Sequence, residues 1–174
     1  MTERTELRSV TTSGGVHLSV RAVRDEDRAL LEEFFRHVSR EDLRFRFLSA
    51  VQHVDAEQIA AMVEVDHRTS ETLLGFDSEK GRLVSTAMLA CDDALERGEI
   101  AIVVDRDYKT RGVGWEMLRL ITEVALVRGV QMVESIEDSG NHAAIAMEHE
   151  MGFKSEPCPD DPGLVVVRRT FRSA

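Results

Sequence analysis

The sequence predicts an α/β fold, a single domain in which helices pack on both faces of one central sheet. Segments with alternating apolar residues, the period of a strand, are mixed with segments in which apolar residues recur every three or four positions, as in a helix. The chain has 174 residues, 43% of them hydrophobic, so one domain can bury a core. The predicted order is one strand, two helices, three strands, then helix, strand, helix and strand.

The predicted domain covers residues 16–174 and follows a loose lead-in over residues 1–15, which ends in two glycines. Apolar and polar residues alternate in the first predicted strand, whose apolar members are Val16, Leu18, Val20 and Ala22. Asp25 is predicted to cap the first helix, where apolar residues then recur at helical spacing. A second helix is predicted to begin at Asp55.

The middle of the chain predicts a hairpin, with strands over residues 72–76 and 82–90 joined by the polar loop of residues 77–81. A third apolar strand is predicted from Glu99 to Val104, and a strong amphipathic helix follows it. The remaining predicted elements are a strand over 131–136, a helix over 141–151 with Gly152 at its C-terminal cap, and a closing strand over 165–171.

Composition and charge exclude several classes of protein. The formal net charge is −10, and no segment clusters enough Lys or Arg to follow a nucleic-acid backbone. No apolar run reaches the roughly 20 residues that span a bilayer, and the polar N-terminus does not resemble a signal peptide. We therefore expect a cytoplasmic protein that binds neither nucleic acid nor membrane. The isolated Cys91 and Cys158 are expected to be reduced thiols, and no metal site is expected.

The segment from Lys109 to Gly114, with the sequence KTRGVG, joins the third apolar strand to the amphipathic helix. A glycine-rich turn that opens a helix leaves backbone N–H groups unpaired at the positive end of the helix dipole, and such a turn binds phosphate. Gly112 would allow close approach of a ligand, and Gly114 would allow the helix to pack closely on its strand. The spacing fits neither a Rossmann fingerprint nor a Walker loop, so the motif alone predicts an anion site.

Two segments together resemble the cofactor motifs of the GNAT superfamily of N-acetyltransferases. Lys109-x-x-Gly112-x-Gly114 after an apolar strand is similar to its [Gln/Arg]-x-x-Gly-x-[Gly/Ala] signature, and residues 141–153 are similar to its second cofactor motif. The likeness covers residues 17–153. It implies a GNAT-like domain whose central sheet is mixed and mostly antiparallel, with helices on both faces.

A narrower resemblance begins earlier in the chain. Residues 20–27 are similar to the first strand and helix opening of GNAT proteins. The segment up to Phe47, with Phe34-Phe35 and Arg44-Phe45-Arg46-Phe47, resembles the acetyltransferase domain of bacterial protein lysine acetyltransferases. This narrower resemblance implies a protein lysine as the amine that receives the acetyl group.

The superfamily resemblance implies an acyl-CoA-dependent N-acyltransferase that uses acetyl-CoA as acyl donor. In GNAT proteins the pantetheine arm lies between two splayed parallel strands, which here implies contacts with the backbone of Ile102, Val103 and Val104. The cofactor pyrophosphate would bind the amides of Lys109, Thr110, Arg111, Gly112, Val113 and Gly114, and Asn141 would hydrogen-bond the cofactor from the next helix. Lys109 stands where the signature has Gln or Arg, which affects a side-chain contact but not the backbone contacts.

Glu99 is the predicted general base, because the resembling family carries a glutamate base at the head of this strand. An amine must lose a proton before it attacks, since a lysine side chain with a pKa of about 10.4 is mostly protonated at neutral pH. Many GNAT enzymes carry a tyrosine as general acid at the position of Glu148. A carboxylate is a poor proton donor there unless its pKa is raised.

The sequence therefore predicts transfer of an acetyl group from acetyl-CoA to a primary amine. Direct attack is expected, because no cysteine or serine lies in a motif that would activate it. The amine is left open between a protein lysine and a small molecule such as a polyamine, an amino acid or a drug. A CoA-binding regulatory module without turnover is the alternative from another class. A monomer or a homodimer is expected.

Overall fold

A computed structural model gives the structure of the chain over residues 7–48 and 53–171. The strands in these ranges are β1 (Arg8–Thr11), β2 (His17–Ala22), β3 (Ser70–Asp77), β4 (Arg82–Cys91), β5 (Arg97–Val104), β6 (Met132–Asp138), β7 (Lys154–Pro157) and β8 (Leu164–Thr170). The α-helices are α1 (Arg28–Arg36), α2 (Arg40–Phe47), α3 (Ala56–Val63), α4 (Val113–Val127) and α5 (His142–Glu150). No α-helix in these ranges is long and apolar enough to cross a membrane.

All eight strands form one sheet in the order β1-β2-β3-β4-β5-β6-β8-β7. Every neighbouring pair is antiparallel except β5 and β6, which run parallel. A parallel pair needs a long crossover connection, and α4 lies within this one. The prediction of a mixed, mostly antiparallel sheet is confirmed.

The parallel strands β5 and β6 pair only at their beginnings, where residues 97–99 lie beside residues 132–134. Beyond that point β5 continues to Val104 with β4 on its other edge, and β6 continues to Asp138 with β8 on its other edge. The two strands therefore separate and leave a gap. Along this gap, β5 has a strand edge whose backbone N–H and C=O groups have no sheet partner.

The sheet buries side chains on both faces. One core cluster includes Met117 of α4, and the other includes Phe34 of α1 and Ile59 of α3. Leu73 and Leu74 are adjacent in β3 but belong to different clusters, because successive side chains of a strand point to opposite faces. The prediction that helices cover both faces is confirmed.

Of the two helix starts predicted in the first part of the chain, the structure agrees with the one at Asp55 and not with the one at Asp25. The helix predicted to begin at Asp55 is α3, which begins at Ala56. Asp55 is its N-cap, because the Asp55 side chain accepts a hydrogen bond from the backbone N–H of Gln58 at 2.8 Å. The prediction of Asp25 as the first cap is wrong, since residues 25–27 form a 3-10 helix and α1 begins after them. Asp27 accepts hydrogen bonds from the backbone N–H of Arg24 at 2.7 Å and from Arg21 at 2.8 and 2.9 Å.

The structure contains three elements that the sequence patterns did not predict. Residues 8–11, in the predicted lead-in of residues 1–15, form β1, an edge strand antiparallel to β2. Helix α2 occupies the segment before Leu48, and Ser39 caps it by accepting a hydrogen bond from the backbone N–H of Asp42 at 3.1 Å. Strand β7 is exposed along its length. None of the three presents the regular apolar spacing that predicts an element.

Candidate active site

A cleft of about 350 Å³ occupies the gap between β5 and β6. Strand β5 lines one wall and β6 the other, while the start of α4, helix α2 and helix α5 complete the boundary. The predicted site residues that line this cleft are Glu99, Ile102, Val103, Val104, Lys109, Thr110, Gly112, Gly114 and Asn141. The fold therefore brings nearly all of the predicted site together.

Two predicted residues are not part of the cleft lining. Val113 is buried, with 1% of its surface exposed, and packs in the core on the α4 side of the sheet. The Arg111 guanidinium lies over the ring of Tyr108 at 5.0 Å from its centroid. The predicted role of both residues depends on their backbone amides, which these side-chain positions leave unaffected.

The loop of residues 109–114 has the backbone geometry of an anion site. Thr110 and Gly112 have positive φ angles of 61° and 81°, and such a conformation is unusual for a β-branched residue. Among the described residues, no group accepts a hydrogen bond from the backbone N–H groups between Lys109 and Trp115. Several unpaired N–H groups at the start of a helix bind phosphate readily.

The turn between β1 and β2 holds this loop in place. The carbonyl oxygen of Arg111 accepts hydrogen bonds from the Thr12 hydroxyl at 2.6 Å and from the Gly14 N–H at 3.2 Å. A Cβ atom on Gly14 would lie 2.5 Å from that same oxygen. A Cβ atom on Gly112 would lie 2.5 Å from the Ser13 Oγ. Close contact with the Arg111 backbone thus requires glycine at position 14, whereas Gly112 is favoured mainly by its positive φ angle.

Gly114 has a different role from the one predicted. A Cβ atom at this position would lie 3.5 Å from Val104 and 3.6 Å from Met147, which are ordinary contact distances. Close packing of α4 on β5 therefore does not require glycine here. The missing side chain instead leaves free volume in the cleft, which Gly114 lines.

Tyr108 packs against the loop, with its ring under the guanidinium of Arg111. Its hydroxyl donates a hydrogen bond to Asp77 at 2.6 Å, and only 2% of the residue is exposed. Burial, followed by the contact with Asp77, raises the pKa of Tyr108 to about 12. The neutral phenol is therefore a structural support rather than a titrating group.

Helix α2 is connected to both sides of the gap. Asp42 forms an ion pair with Lys109, in the loop after β5, at 2.8 Å. Arg44 forms an ion pair with Asp138, at the end of β6, at 3.6 Å. Phe45, the next residue after Arg44 on this helix, lines the cleft. Sequence patterns did not predict that α2 forms part of the site, because its charged residues mask any apolar spacing.

The backbone of β5 forms the wall between the loop and the head of the strand. Ile102, Val103 and Val104 pair with β4 on one edge, and their other edge faces the gap. Val103 packs in the core cluster of α1 and α3, whereas Ile102 and Val104 pack against the cluster of α4. The side chains are thus used in packing, and the backbone is left to contact a ligand.

Glu99 lies where β5 and β6 begin to separate. It is the last residue of β5 that pairs with β6, opposite Glu134, and its side chain is exposed at the cleft. No side chain in the described ranges forms a hydrogen bond or a close ion pair with its carboxylate. Arg46 of α2 lies within electrostatic range, and the charges of Glu99 and Glu137 oppose the lowering of the Arg46 pKa by burial.

Asn141 and Glu148 come from the second predicted cofactor segment. The Asn141 side-chain amide donates a hydrogen bond to Glu137 at 3.2 Å. Glu148 is buried and accepts a hydrogen bond from the hydroxyl of Ser135. Burial, followed by the negative charge of Glu137, raises the pKa of Glu148 to about 8. The condition under which a carboxyl group donates a proton at neutral pH is thus met.

The described residues contain no metal-ligand group, and their cysteines are free. No group of three or more His, Cys, Asp or Glu side chains in residues 7–48 and 53–171 is arranged to hold a metal ion. Cys91 and Cys158 are free thiols. Burial raises the pKa of Cys91 to about 11, so it is not an activated nucleophile.

Comparisons with known proteins identify relatives of this chain. A model of the Acetyltransferase (GNAT) family matches residues 29–153. An acetyltransferase of Pseudomonas aeruginosa is 25% identical over 156 residues, which cover 88% of this chain and 84% of that protein. The structure of the GNAT domain of S. lividans PAT is 20% identical, covers 95% of this chain and 97% of its own, and has a TM-score of 0.87.

The ribosomal-protein-S18-alanine N-acetyltransferase of Escherichia coli has a TM-score of 0.70 at 16% identity, with 90% of this chain and 96% of that chain covered. At these identities the structural likeness shows the shared fold. The family match spans most of the chain, including β5, the loop of residues 109–114 and α5. The chain therefore belongs to the GNAT acetyltransferase family and is an acyl-CoA-dependent N-acyltransferase.

Proposed function

We propose that this protein transfers an acetyl group from acetyl-CoA to a primary amine by direct attack, with Glu99 as the general base. The observation that carries the proposal is the arrangement along β5. Within residues 7–48 and 53–171, a carboxylate without an ion-pair partner lies at the head of the strand. A free backbone edge follows it, and a loop of unpaired amides lies at its end. This arrangement would give the base, the acyl donor and the phosphate separate places along one cleft.

The cleft has the features that a CoA thioester needs. The amides of residues 109–114 would hold the pyrophosphate, because they lie at the start of a helix and have no hydrogen-bond partner among the described residues. The free edge at residues 102–104 would hydrogen-bond the amide-containing pantetheine arm in the manner of an added strand. Asn141 lines the same cleft and would add a contact from α5. When bound, acetyl-CoA supplies an activated thioester carbonyl.

Glu99 has the position and the freedom that a general base needs. Its carboxylate is exposed and has no partner in the described ranges that would have to be displaced. A positioned carboxylate can take the proton from an ammonium group directly or through one water molecule. A backbone N–H on the free edge of β5 would polarise the thioester carbonyl as charge develops on its oxygen.

The charges of the cleft favour a cationic amine. Glu99, Glu137 and Asp42 line it, and Lys109 and Arg46 are the basic residues among its lining. Lys109 is already paired with Asp42. The formal net charge of the chain is −10, and an acidic protein attracts cationic partners over longer range.

A protein lysine is the first candidate for this amine. It is supported by the resemblance of the segment up to Phe47 to bacterial protein lysine acetyltransferases and by the likeness to the S. lividans PAT domain. A polyamine, an amino acid or a drug is the second candidate for the amine. A CoA-binding module without turnover is the alternative to the proposed reaction itself. The cytoplasmic location and the monomeric or homodimeric state stay predictions.

An acetyl-transfer panel separates these candidates. The purified protein is incubated with acetyl-CoA labelled in the acetyl group, together with a lysine-containing protein extract, spermidine, or single amino acids. Mass spectrometry then locates the label on a lysine side chain or on a small amine. We expect the label on protein lysines, and Glu99→Gln should abolish most of it, whereas the matched control Glu96→Gln should not. Tight acetyl-CoA binding without label on any amine would refute the proposed reaction and leave the binding module.

A further inference from the structure

Two acidic side chains face each other inside the cleft, although they belong to different elements. Glu137 lies on β6 and Glu148 on α5, and both line the cleft. Only 4% of Glu148 is exposed. The Ser135 hydroxyl donates to its Oε1, but its buried Oε2 has no hydrogen-bond partner among the described residues. An ionised carboxylate in this position is costly, because a buried charged oxygen needs a donor.

One proton shared by the two carboxyl groups removes this cost. The side chains of Glu137 and Glu148 are close enough to hydrogen-bond once one of them carries a proton. Repulsion between two adjacent carboxylates raises the pKa of one of them. Burial and the charge of Glu137 raise the pKa of Glu148 to about 8, so the pair retains one proton at neutral pH.

The surroundings place that proton on Glu148. Burial raises the pKa of Glu137, but the hydrogen bond from Asn141 and the charge of Arg46 on α2 lower it. In the described ranges, the charged group that acts on Glu148 is Glu137 itself. The charge of Glu99 on β5 raises the pKa of Arg46. Glu137 thus has an amide donor and a cation that favour its ionised form, whereas the Ser135 hydroxyl is the one such partner of Glu148 among the described residues.

We propose that Glu148 is the acid that protonates the sulfur of CoA as the thioester bond breaks, an assignment that rests on the acetyl transfer proposed above. The C–N bond forms, the C–S bond breaks, and the carboxyl proton of Glu148 passes to sulfur to give the thiol. The amine nitrogen loses two protons to solvent by way of Glu99. Solvent returns one proton to Glu148, so each turnover releases one proton in total.

The protonation state is tested on the free protein. Carbon-13 NMR of the full chain, labelled at the glutamate carboxyl carbons, is recorded from about pH 5 to pH 9 for the wild type and for Glu148→Gln. We expect one carboxyl resonance to titrate near pH 8, and we expect Glu148→Gln to lack it. If every glutamate titrates below about pH 6, the proposal is overturned.

The catalytic role is tested by the release of CoA thiol from acetyl-CoA over the same pH range. The amine is the one found in the panel or, if no amine is acetylated, water as a slow substitute. Wild-type kcat should fall above about pH 8, where the acid is ionised. Glu148→Gln should lower kcat about 10²-fold, remove that fall, and leave the KM for acetyl-CoA nearly unchanged. Glu150→Gln, an exposed neighbour on α5, should keep the wild-type profile.

A second variant separates the proton donor from a merely structural residue. Glu137→Gln removes the neighbouring charge, so Glu148 should ionise more easily and the fall in kcat should move to lower pH. Wild-type rate and pH profile in a folded Glu148→Gln protein would overturn the inference while leaving the proposed acetyl transfer intact. A wild-type protein that releases no thiol at all would instead refute the proposed function, and the donor role with it.

Discussion

Replacement of Gly14 by alanine should weaken acetyl-CoA binding, although Gly14 lies in the turn between β1 and β2 and does not line the cleft. The added Cβ atom would lie 2.5, 2.7 and 2.8 Å from the carbonyl oxygen, Cα and carbonyl carbon of Arg111. Carbon and oxygen atoms normally stay about 3.4 Å apart or more, so the turn and the loop must separate by about 1 Å. Backbone atoms have no rotamer with which to avoid this contact.

The size of the effect follows from the bonds that the separation breaks. The Gly14 N–H and the Thr12 hydroxyl both donate to the carbonyl oxygen of Arg111. Each is worth about 1 kcal/mol in net stability. A shift of the loop also misaligns the amides of residues 109–114 with respect to a bound phosphate. We expect a loss of about 1.4 kcal/mol of binding free energy, which is a tenfold weaker Kd.

Isothermal titration calorimetry with acetyl-CoA measures this effect, and thermal unfolding measures the accompanying loss of stability. Ser13→Ala is the matched control, because it changes the same turn without introducing a contact with Arg111. The control should bind acetyl-CoA as the wild type does. An unchanged Kd in a folded Gly14→Ala protein would show that the turn does not position the loop, and the reasoning above would be refuted.

Three further predictions address the other groups of the site. Glu99→Gln should lower kcat by about 10²–10⁴-fold with unchanged acetyl-CoA affinity. The defect should shrink as pH rises, because more of the amine is then neutral. A Glu99→Gln protein with wild-type kcat from about pH 6 to 9 would contradict this role. Lys109→Ala should weaken acetyl-CoA binding by no more than about 1 kcal/mol, since the Lys109–Asp42 pair is partly exposed; calorimetry that shows a larger loss would mean that the side chain holds the phosphate. The folded pKa of Glu148 is raised from 4.5 to about 8, so between these pH values the folded state retains a proton that the unfolded state releases. The free energy of unfolding should therefore fall by up to about 1.4 kcal/mol per pH unit across this window. Urea unfolding of Glu148→Gln should show a flatter pH dependence than the wild type, and an equal slope in both proteins would rule this out.

Sequence periodicity predicted the elements whose burial is regular. Leu18 and Val20 alternate with polar residues, and the structure buries both in β2. The edge strand β1 is held by backbone pairing, with one partly buried side chain among its four residues, so hydropathy carries no signal for it. Helix α2 buries only Leu43, and Ser39 at its cap was the remaining local signal. Elements held mainly by backbone bonds or caps are thus poorly visible to hydropathy patterns.

The loop of residues 109–114 was predictable from sequence because its proposed role depends on its backbone. Gly112 marks the loop because the glycine requirement is a property of the chain itself, readable without neighbours. The raised pKa of Glu148 was not predictable, since it depends on burial and on the charge of Glu137, which β6 brings against α5 only in the folded sheet. The sequence identified Glu148 as a departure from a pattern, and the fold supplies the environment that makes a carboxyl group suitable there.

The contact of the β1–β2 turn with the loop has a consequence for how the protein becomes competent to bind acetyl-CoA. Thr12 and Arg111 are 99 positions apart in sequence, so their contact carries the entropy cost of closing a long loop unless the intervening chain is already ordered. The proposed phosphate loop therefore reaches its final shape only when the first strands have joined the edge of the sheet. Acetyl-CoA binding would then report on completion of the whole domain. A variant that begins at residue 16, and so lacks β1 and the turn, should keep much of its core yet bind acetyl-CoA poorly.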